Sequence, residues 1–235
     1  SKGMLFANAS YMWLQERGPT IARAGEGATD LSDPAMGHVQ AGVRYPLGEG
    51  SALTAAVGYY DHFAVQGRRP WFAGQPNGNS TVDVFFPAGS TTRVAVSRYD
   101  YDIVHAIAQY ERPVFDGLPF TAFAQYARNA DAEFDTAWAA GVLLGRAGKP
   151  RTWEVGALYQ TIDKDALFGQ WVDSNFGAGL TDSRGWVLRA IYAPATNMTL
   201  NATYFLNELH RDGFSDVLPR DRDYRRLQLD ANFRF

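Results

Sequence analysis

Apolar and polar residues alternate along most of this chain with a period of two. Near the C-terminal end Leu227, Leu229, Ala231, Phe233 and Phe235 interleave with Arg226, Gln228, Asp230, Asn232 and Arg234, without one break. Successive side chains leave a β-strand on opposite faces, so this period predicts a two-faced strand. Nine further stretches follow the same rule. Their apolar faces read Leu5–Ala7–Ala9–Tyr11–Trp13, Val39–Ala41–Val43–Tyr45, Leu53–Ala55–Val57–Tyr59 and Phe120–Ala122–Ala124–Tyr126. They continue with Trp138–Ala140–Val142–Leu144, Trp153–Val155–Ala157–Tyr159, Trp186–Leu188–Ala190–Tyr192 and Met198–Leu200–Ala202–Tyr204. Around Val104 two phases compete. Val104, Ala106, Ala108 and Tyr110 form the better apolar face, because the other phase would put His105 and Gln109 there. Each stretch is close to the nine to eleven residues that a tilted membrane-spanning strand needs.

The connections alternate in length. Residues 46–50, 112–119, 146–151 and 193–197 are short and rich in Pro, Gly and Asn, as tight turns require. Residues 14–35, 61–98, 162–184 and 207–222 are long and polar; only Arg128–Thr136 is short where a long one is due. Long loops on one side and short turns on the other are the pattern of an outer-membrane barrel. The fold expected is therefore all-β: a transmembrane antiparallel up-and-down β-barrel, one domain over residues 1–235, with about ten strands in this chain. The last strand follows a long loop, which puts Phe235 on the periplasmic side and leaves this strand to close the ring.

The aromatics sharpen this reading. On the apolar faces Phe120 and Tyr126, Trp153 and Tyr159, and Trp186 and Tyr192 stand six residues apart. That spacing covers roughly 20 Å of strand. With strands alternating in direction, Trp13, Tyr59, Tyr126, Trp138, Tyr159, Trp186 and Tyr204 gather at the long-loop ends. Tyr45, Tyr110, Phe120, Trp153, Tyr192 and Phe235 gather at the short-turn ends. Tyr and Trp favour the membrane interface, so two aromatic girdles around an Ala/Val band are what a bilayer selects. A soluble sandwich would put its large residues centrally.

Composition adds limits. The chain has 235 residues and a net charge of −3, with 14% aromatic residues and no cysteine. No apolar run is long enough for a transmembrane helix. The absence of cysteine removes disulfides and Cys-ligated metal sites, and a slightly acidic chain offers no basic stripe for nucleic acid. The chain opens at Ser1 with neither Met nor a basic-then-apolar leader, so a cleaved signal or a truncated start is assumed rather than read.

Several stretches resemble one family, the "putative porin" family of Gram-negative bacteria. They are LFANASYMWLQE from Leu5, YDIVHAIAQYE from Tyr101, the run from Ala137 to Gly177, NMTLNATYF from Asn197 and YRRLQLDANFRF from Tyr224. The segment from Trp153 to Gly177 is the most specific. The resemblance implies outer-membrane localisation and passive diffusion of small hydrophilic solutes and ions, with no cofactor and no metal. It also implies that this chain is either a compact barrel or the C-terminal part of one of about sixteen strands. The C-terminal strand resembles the signature that the barrel-assembly machinery recognises, ending in an aromatic at Phe235. The partners expected are the lipid bilayer, lipopolysaccharide, that machinery and, as an assembly state, a homo-oligomer.

The polar face carries the candidate chemistry. Arg44, Arg189, Arg226 and Arg234 stand against Glu154 and Asp230, with His38, Gln40, Gln109, Gln125, Gln160 and Asn201 among them. In a water-filled lumen these residues line the path with a slight preference for anions; in a narrow barrel they cross-link the wall. The long 61–98 loop contains TVDVFF, a short strand before Pro87, and Arg68, Arg69 and Trp71, which would face solutes if it folds into the mouth as a constriction; a surface cap is an equal alternative. Two other classes stay open. A barrel hydrolase would use Asp61 and His62, or His210 near Asp212 and Asp216. Neighbours on one strand point to opposite faces, however, and this favours a chance pairing. A structural or adhesive barrel would do no chemistry. Asp165, Asp173 and Asp182 lack the regular spacing of a calcium loop, so a structured Gly/Asp loop is expected there.

Overall fold

The structure is a computed structural model that describes residues 2–16, 33–70, 75–85, 89, 91–209 and 222–234. It contains β1 (Met4–Trp13), β2 (Ala35–Gly48), β3 (Ser51–Phe63), β4 (Thr81–Phe85), β5 (Arg93–Ser97), β6 (Tyr101–Val114), β7 (Leu118–Asn129), β8 (Thr136–Gly145), β9 (Thr152–Ile162), β10 (Ser183–Ala195), β11 (Met198–Leu209) and β12 (Arg222–Phe233). Ten of these form one antiparallel sheet in the order β1-β2-β3-β6-β7-β8-β9-β10-β11-β12. Each is hydrogen-bonded to its neighbours in the chain, the up-and-down plan that alternating turn lengths predict. β4 and β5 form a separate hairpin. TVDVFF thus does contain a strand, and its partner, Arg93–Ser97, is one that its own pattern did not announce.

The register carries the period of two across the whole sheet. Tyr59 pairs with Val104, Val57 with Ala106, and Leu53 with Tyr110, which selects the phase of β6 preferred above. Ala106 pairs with Tyr126, Tyr126 with Trp138, Tyr159 with Trp186, Leu188 with Tyr204 and Tyr204 with Leu227. A slip of one residue anywhere would turn a strand's apolar set to the other face; none occurs. The only register shifts lie at the short turns, between Pro46 and Gly48 and between Tyr192 and Ala195.

The apolar face is open. Leu229 is 70% exposed and Val57 63% exposed, so no part of the described chain covers it. The two buried clusters lie on the opposite face, at the long-loop end. One cluster joins Val65, Tyr101, Ile103 and Phe168; a second joins Ala137, Ile162, Ala166, Phe176 and Phe205. The two are built by residues 163–182, which fold back over that face through 3-10 turns at Gly169–Trp171 and Gly177–Gly179. Gly177, Ala178 and Gly179 all have positive φ, a run that only a glycine-rich stretch adopts cheaply.

The sheet is not closed. β1 and β12 are its two edges and are not hydrogen-bonded to each other, contrary to the expectation that the last strand seals a ring on the first. In lipid such edges must find partners, because nothing else there satisfies backbone N–H and C=O groups.

Candidate pore lining

The inner face divides into two zones along the strands. Towards the short turns it is charged and wet. Arg44 on β2 reaches across β3, donating to Thr54 Oγ1 at 3.3 Å and to Glu111 on β6. Arg189 on β10 donates to Glu154 on β9 at 2.6 Å. The side chain of Arg44 is 44% exposed and that of Arg189 43% exposed, and pairs so open to water are worth about 0–1 kcal/mol. They orient charge on the wall more than they stabilise it. Asp230 accepts hydrogen bonds from Gln228 at 3.0 and 3.3 Å. Arg226 stands on the same face of β12, opposite Phe205, without a carboxylate partner among the described residues. Arg234 lies one residue beyond β12, its backbone N–H donating to the Asn197 carbonyl at 2.9 Å.

Two charges of this face were missed in the sequence. Glu111 follows Gln109 at the same phase, and Arg222 opens β12 opposite Leu209. Both sit at strand ends, where the alternating pattern runs into turns. With them the inner face carries Arg44, Arg189, Arg222, Arg226 and Arg234 against Glu111, Glu154 and Asp230 among the described residues, which is still positive on balance. Nor is the lining uniformly polar. Phe123, Leu143 and Leu158 also face inward, beside Gly141 and Gly156, where a Cβ would approach Phe123 and Leu143 to 2.8 and 2.5 Å. Large side chains there lie flat over the glycines of the neighbouring strand.

Towards the long loops the inner face is dry. Asp165 is fully buried and holds three elements together. It accepts from the Ser80 backbone N–H at 2.7 Å, the Ser80 hydroxyl at 2.6 Å and the Tyr101 hydroxyl at 3.3 Å. Asn79 donates to the carbonyls of Lys164 and Leu167, both at 2.9 Å, and accepts from the Gly169 N–H at 2.6 Å. Asn129, also fully buried, donates to the carbonyls of Asp100 and Asp165. The two long loops are therefore one hydrogen-bonded package. Residues 163–182 form its inner layer against the sheet, and Asn77, Asn79 and Ser80 dock on them. Arg68 is 8% exposed, Arg69 is open to solvent and Trp71 lies outside the described residues. Asp173 accepts from the Asn175 N–H at 2.9 Å, and Asp182 is buried, both within the structured loop.

The outer face carries the aromatics as bands. Trp138 and Tyr159 lie 5.6 Å apart between ring centroids, Tyr159 and Trp186 5.1 Å, and Tyr11 and Trp13 5.1 Å. Tyr59 donates to Asp102 at 2.5 Å. Trp153 and Tyr192 pair directly at the short-turn end. Phe235 lies outside the described residues. Ion pairs cap the strands beyond the long-loop band: Arg128 with Asp135 at 2.6 Å and Arg184 with Glu208 at 2.5 Å. Burial raises the Asp100 carboxyl above the usual range, with the neighbouring Asp102 charge acting in the same direction.

Asp61 and His62 do not assemble a dyad. Asp61 shares the outer face with Tyr59, whereas His62 is 3% exposed on the inner one, its Nδ1–H donating to the Tyr101 carbonyl at 2.9 Å. His210, Asp212 and Asp216 lie outside the described residues.

Residues 96–209 match the family described as "Putative porin". Over that segment the chain is similar to the putative porin family. It spans β6 to β11 and the inward-folded 163–182 loop, and it includes Glu111, Glu154 and Arg189. A comparison with curated proteins finds no match. This similarity and the two-faced sheet together point to a membrane-located, porin-like β-protein.

Proposed function

We propose that the chain forms the wall of an outer-membrane diffusion channel in a Gram-negative bacterium, passing small hydrophilic solutes and ions with a weak preference for anions. One observation carries this reading: a single ten-stranded sheet has an uncovered apolar face banded by aromatics and an opposite face lined by ion-paired and free arginines. In this reading Trp13, Tyr59, Tyr126, Trp138, Tyr159, Trp186 and Tyr204 form the outer girdle, and Trp153, Tyr192 and Phe235 belong to the periplasmic one. Arg44, Glu111, Glu154, Arg189, Arg226, Asp230 and Arg234 line the path. The 163–182 loop narrows it from within, with 64–100 as the cap over that loop. The bilayer, lipopolysaccharide and the assembly machinery acting on the C-terminal strand are the partners. The free edges of β1 and β12 require pairing in lipid, with each other or with further strands. Fixed positive charge in a water-filled lumen raises the local anion concentration, an effect that salt screens beyond about 10 Å at 0.1 M.

Planar-bilayer recording on the purified protein tests this. Stepwise conductance is expected, with a reversal potential displaced towards the chloride potential in a KCl gradient and collapsing as salt rises. A protein that inserts but never conducts is a structural or adhesive barrel instead.

A further inference from the structure

Three of the chain's four histidines border one cavity of about 560 Å3 on the inner face, with Tyr60, Gln125 and Phe168. Two of them meet. His38 on β2 and His105 on β6 bring their Nε2 atoms to 3.1 Å, although β3 runs between them. Gly58 makes this possible. It is the β3 residue paired with His105, and a Cβ there would lie 2.3 Å from His105 Nε2 and 2.7 Å from the Val39 carbonyl oxygen. With no side chain at 58, the His105 ring lies across β3. Tyr60, the next inner residue of β3, stacks on His38 at 4.1 Å and lies 4.9 Å from His105. The pair is thus held in place by its neighbours. We propose that His38 and His105 form a binding site for a divalent transition-metal ion of the zinc type on the channel wall.

The geometry suits such an ion. Two imidazole nitrogens at Zn–N distances of 2.0–2.1 Å stand about 2.9 Å apart for a right-angled pair and about 3.3 Å for a tetrahedral one. The observed 3.1 Å lies between these; the ring centroids, 5.3 Å apart, set the two rings nearly head-on, so each turns to aim its lone pair at the ion. Unoccupied, the two nitrogens share a proton in an N–H···N hydrogen bond. On binding, the donating ring changes tautomer, giving up its Nε2 proton and carrying one on Nδ1 instead, so both imidazoles meet the ion as neutral ligands. No third histidine or carboxylate joins the pair among the described residues, so water from the cavity completes the shell. Neutral imidazoles with water select zinc, copper and nickel over magnesium or calcium, which take oxygen ligands.

The test is zinc titration calorimetry of the folded full chain in detergent at pH 7.5. One ion per chain is expected. His38→Gln and His105→Gln should each weaken binding at least about tenfold, while His210→Gln leaves it unchanged. Heat-modifiable mobility reports whether each variant folds. Should either misfold, diethylpyrocarbonate labelling of the parent replaces it, with zinc expected to protect residues 38 and 105 and not 210. No binding by the parent, equal affinity in both variants, or labelling indifferent to zinc overturns the proposal and leaves only a proton-sharing pair. A protein that is silent in bilayers yet binds zinc keeps this site and loses the channel reading; one that conducts without binding zinc does the reverse.

Discussion

The two halves of the inner face obey the same alternation and end in opposite states. Near the long loops Tyr101 and Asn129 are fully buried and Phe176 is 1% exposed. Near the short turns, on the same face of the same sheet, the arginines of the Arg44–Glu111 and Arg189–Glu154 pairs stay nearly half exposed. The difference comes from residues 163–182. Where this loop lies on the wall, inner positions can be apolar, as Ile103, Ile162 and Phe205 are, because a dry cover replaces water. Away from the loop the wall must solvate itself, and charge appears. Strand patterning therefore decides which way a side chain points, whereas a loop decides what medium it meets.

Removing the loop's anchor should break this contrast most severely. Asp165→Ala strips the acceptor from the Ser80 N–H, the Ser80 hydroxyl and the Tyr101 hydroxyl. An orphaned buried donor costs about 1–3 kcal/mol; two of these three belong to the half-buried Ser80, which water can partly satisfy, so a loss of roughly 2–5 kcal/mol is expected. Limited trypsin digestion should then cut after Lys164 far faster than in the parent; equal rates would mean that Asp165 does not hold the package.

The contrast between faces is next. Ala157 is central on the outer face, paired with Val142 and Leu188. Ala157→Arg should cost about 2–4 kcal/mol in lipid. On the inner face Gln228→Lys, beside Asp230, should stay within about 0.5 kcal/mol. Equilibrium unfolding from liposomes measures both, and similar costs would remove the distinction between lipid and water.

A smaller effect falls on the wet half alone. Arg226→Glu reverses a charge that has no carboxylate partner among the described residues, whereas Arg189→Gln loosens one already balanced by Glu154. The first should move the reversal potential towards cations, and by more than the second does. The opposite order would mean that the path does not pass β12.

The mildest change concerns the long-loop rim. Burial raises the pKa of Asp100, so its charged form opposes folding, and that cost is relieved as pH falls through the raised value. Asp100→Asn removes the charge and keeps an acceptor for the Tyr101 N–H, which the carboxylate binds at 3.1 Å. It should stabilise by less than about 1 kcal/mol at pH 7, with the gain vanishing in acid as the parent's carboxyl protonates. A melting-temperature difference that grew on acidification would reverse the sign of this argument.

Much of the site was legible in the chain, and the rest was hidden for a definite reason. Arg44, Glu154, Arg189, Arg226 and Asp230 fall on the inner face because a period of two is a local property of extended backbone. Their pairing was not legible. Arg44 meets Glu111 and His38 meets His105 across an intervening strand, each pair 67 residues apart in the chain, and nothing local sets that distance. Glu111 and Arg222 were missed because alternation loses its contrast where strands run into turns. For 61–98 the length of the loop left a constriction and a surface cap equally open, and nothing in its pattern pointed to 163–182 as a segment packed on the wall.

The sequence by itself determined the strands, their phase, the order of long and short connections, and which aromatics share an end. All of these follow from side-chain alternation and turn chemistry acting over a few residues. Only the tertiary structure decided that 163–182 packs on the long-loop end of the wall, that Gly58 lets two histidines touch, and that β1 and β12 remain apart. Those depend on register between distant strands and on buried hydrogen bonds between loops, and neither is written in any one stretch of chain.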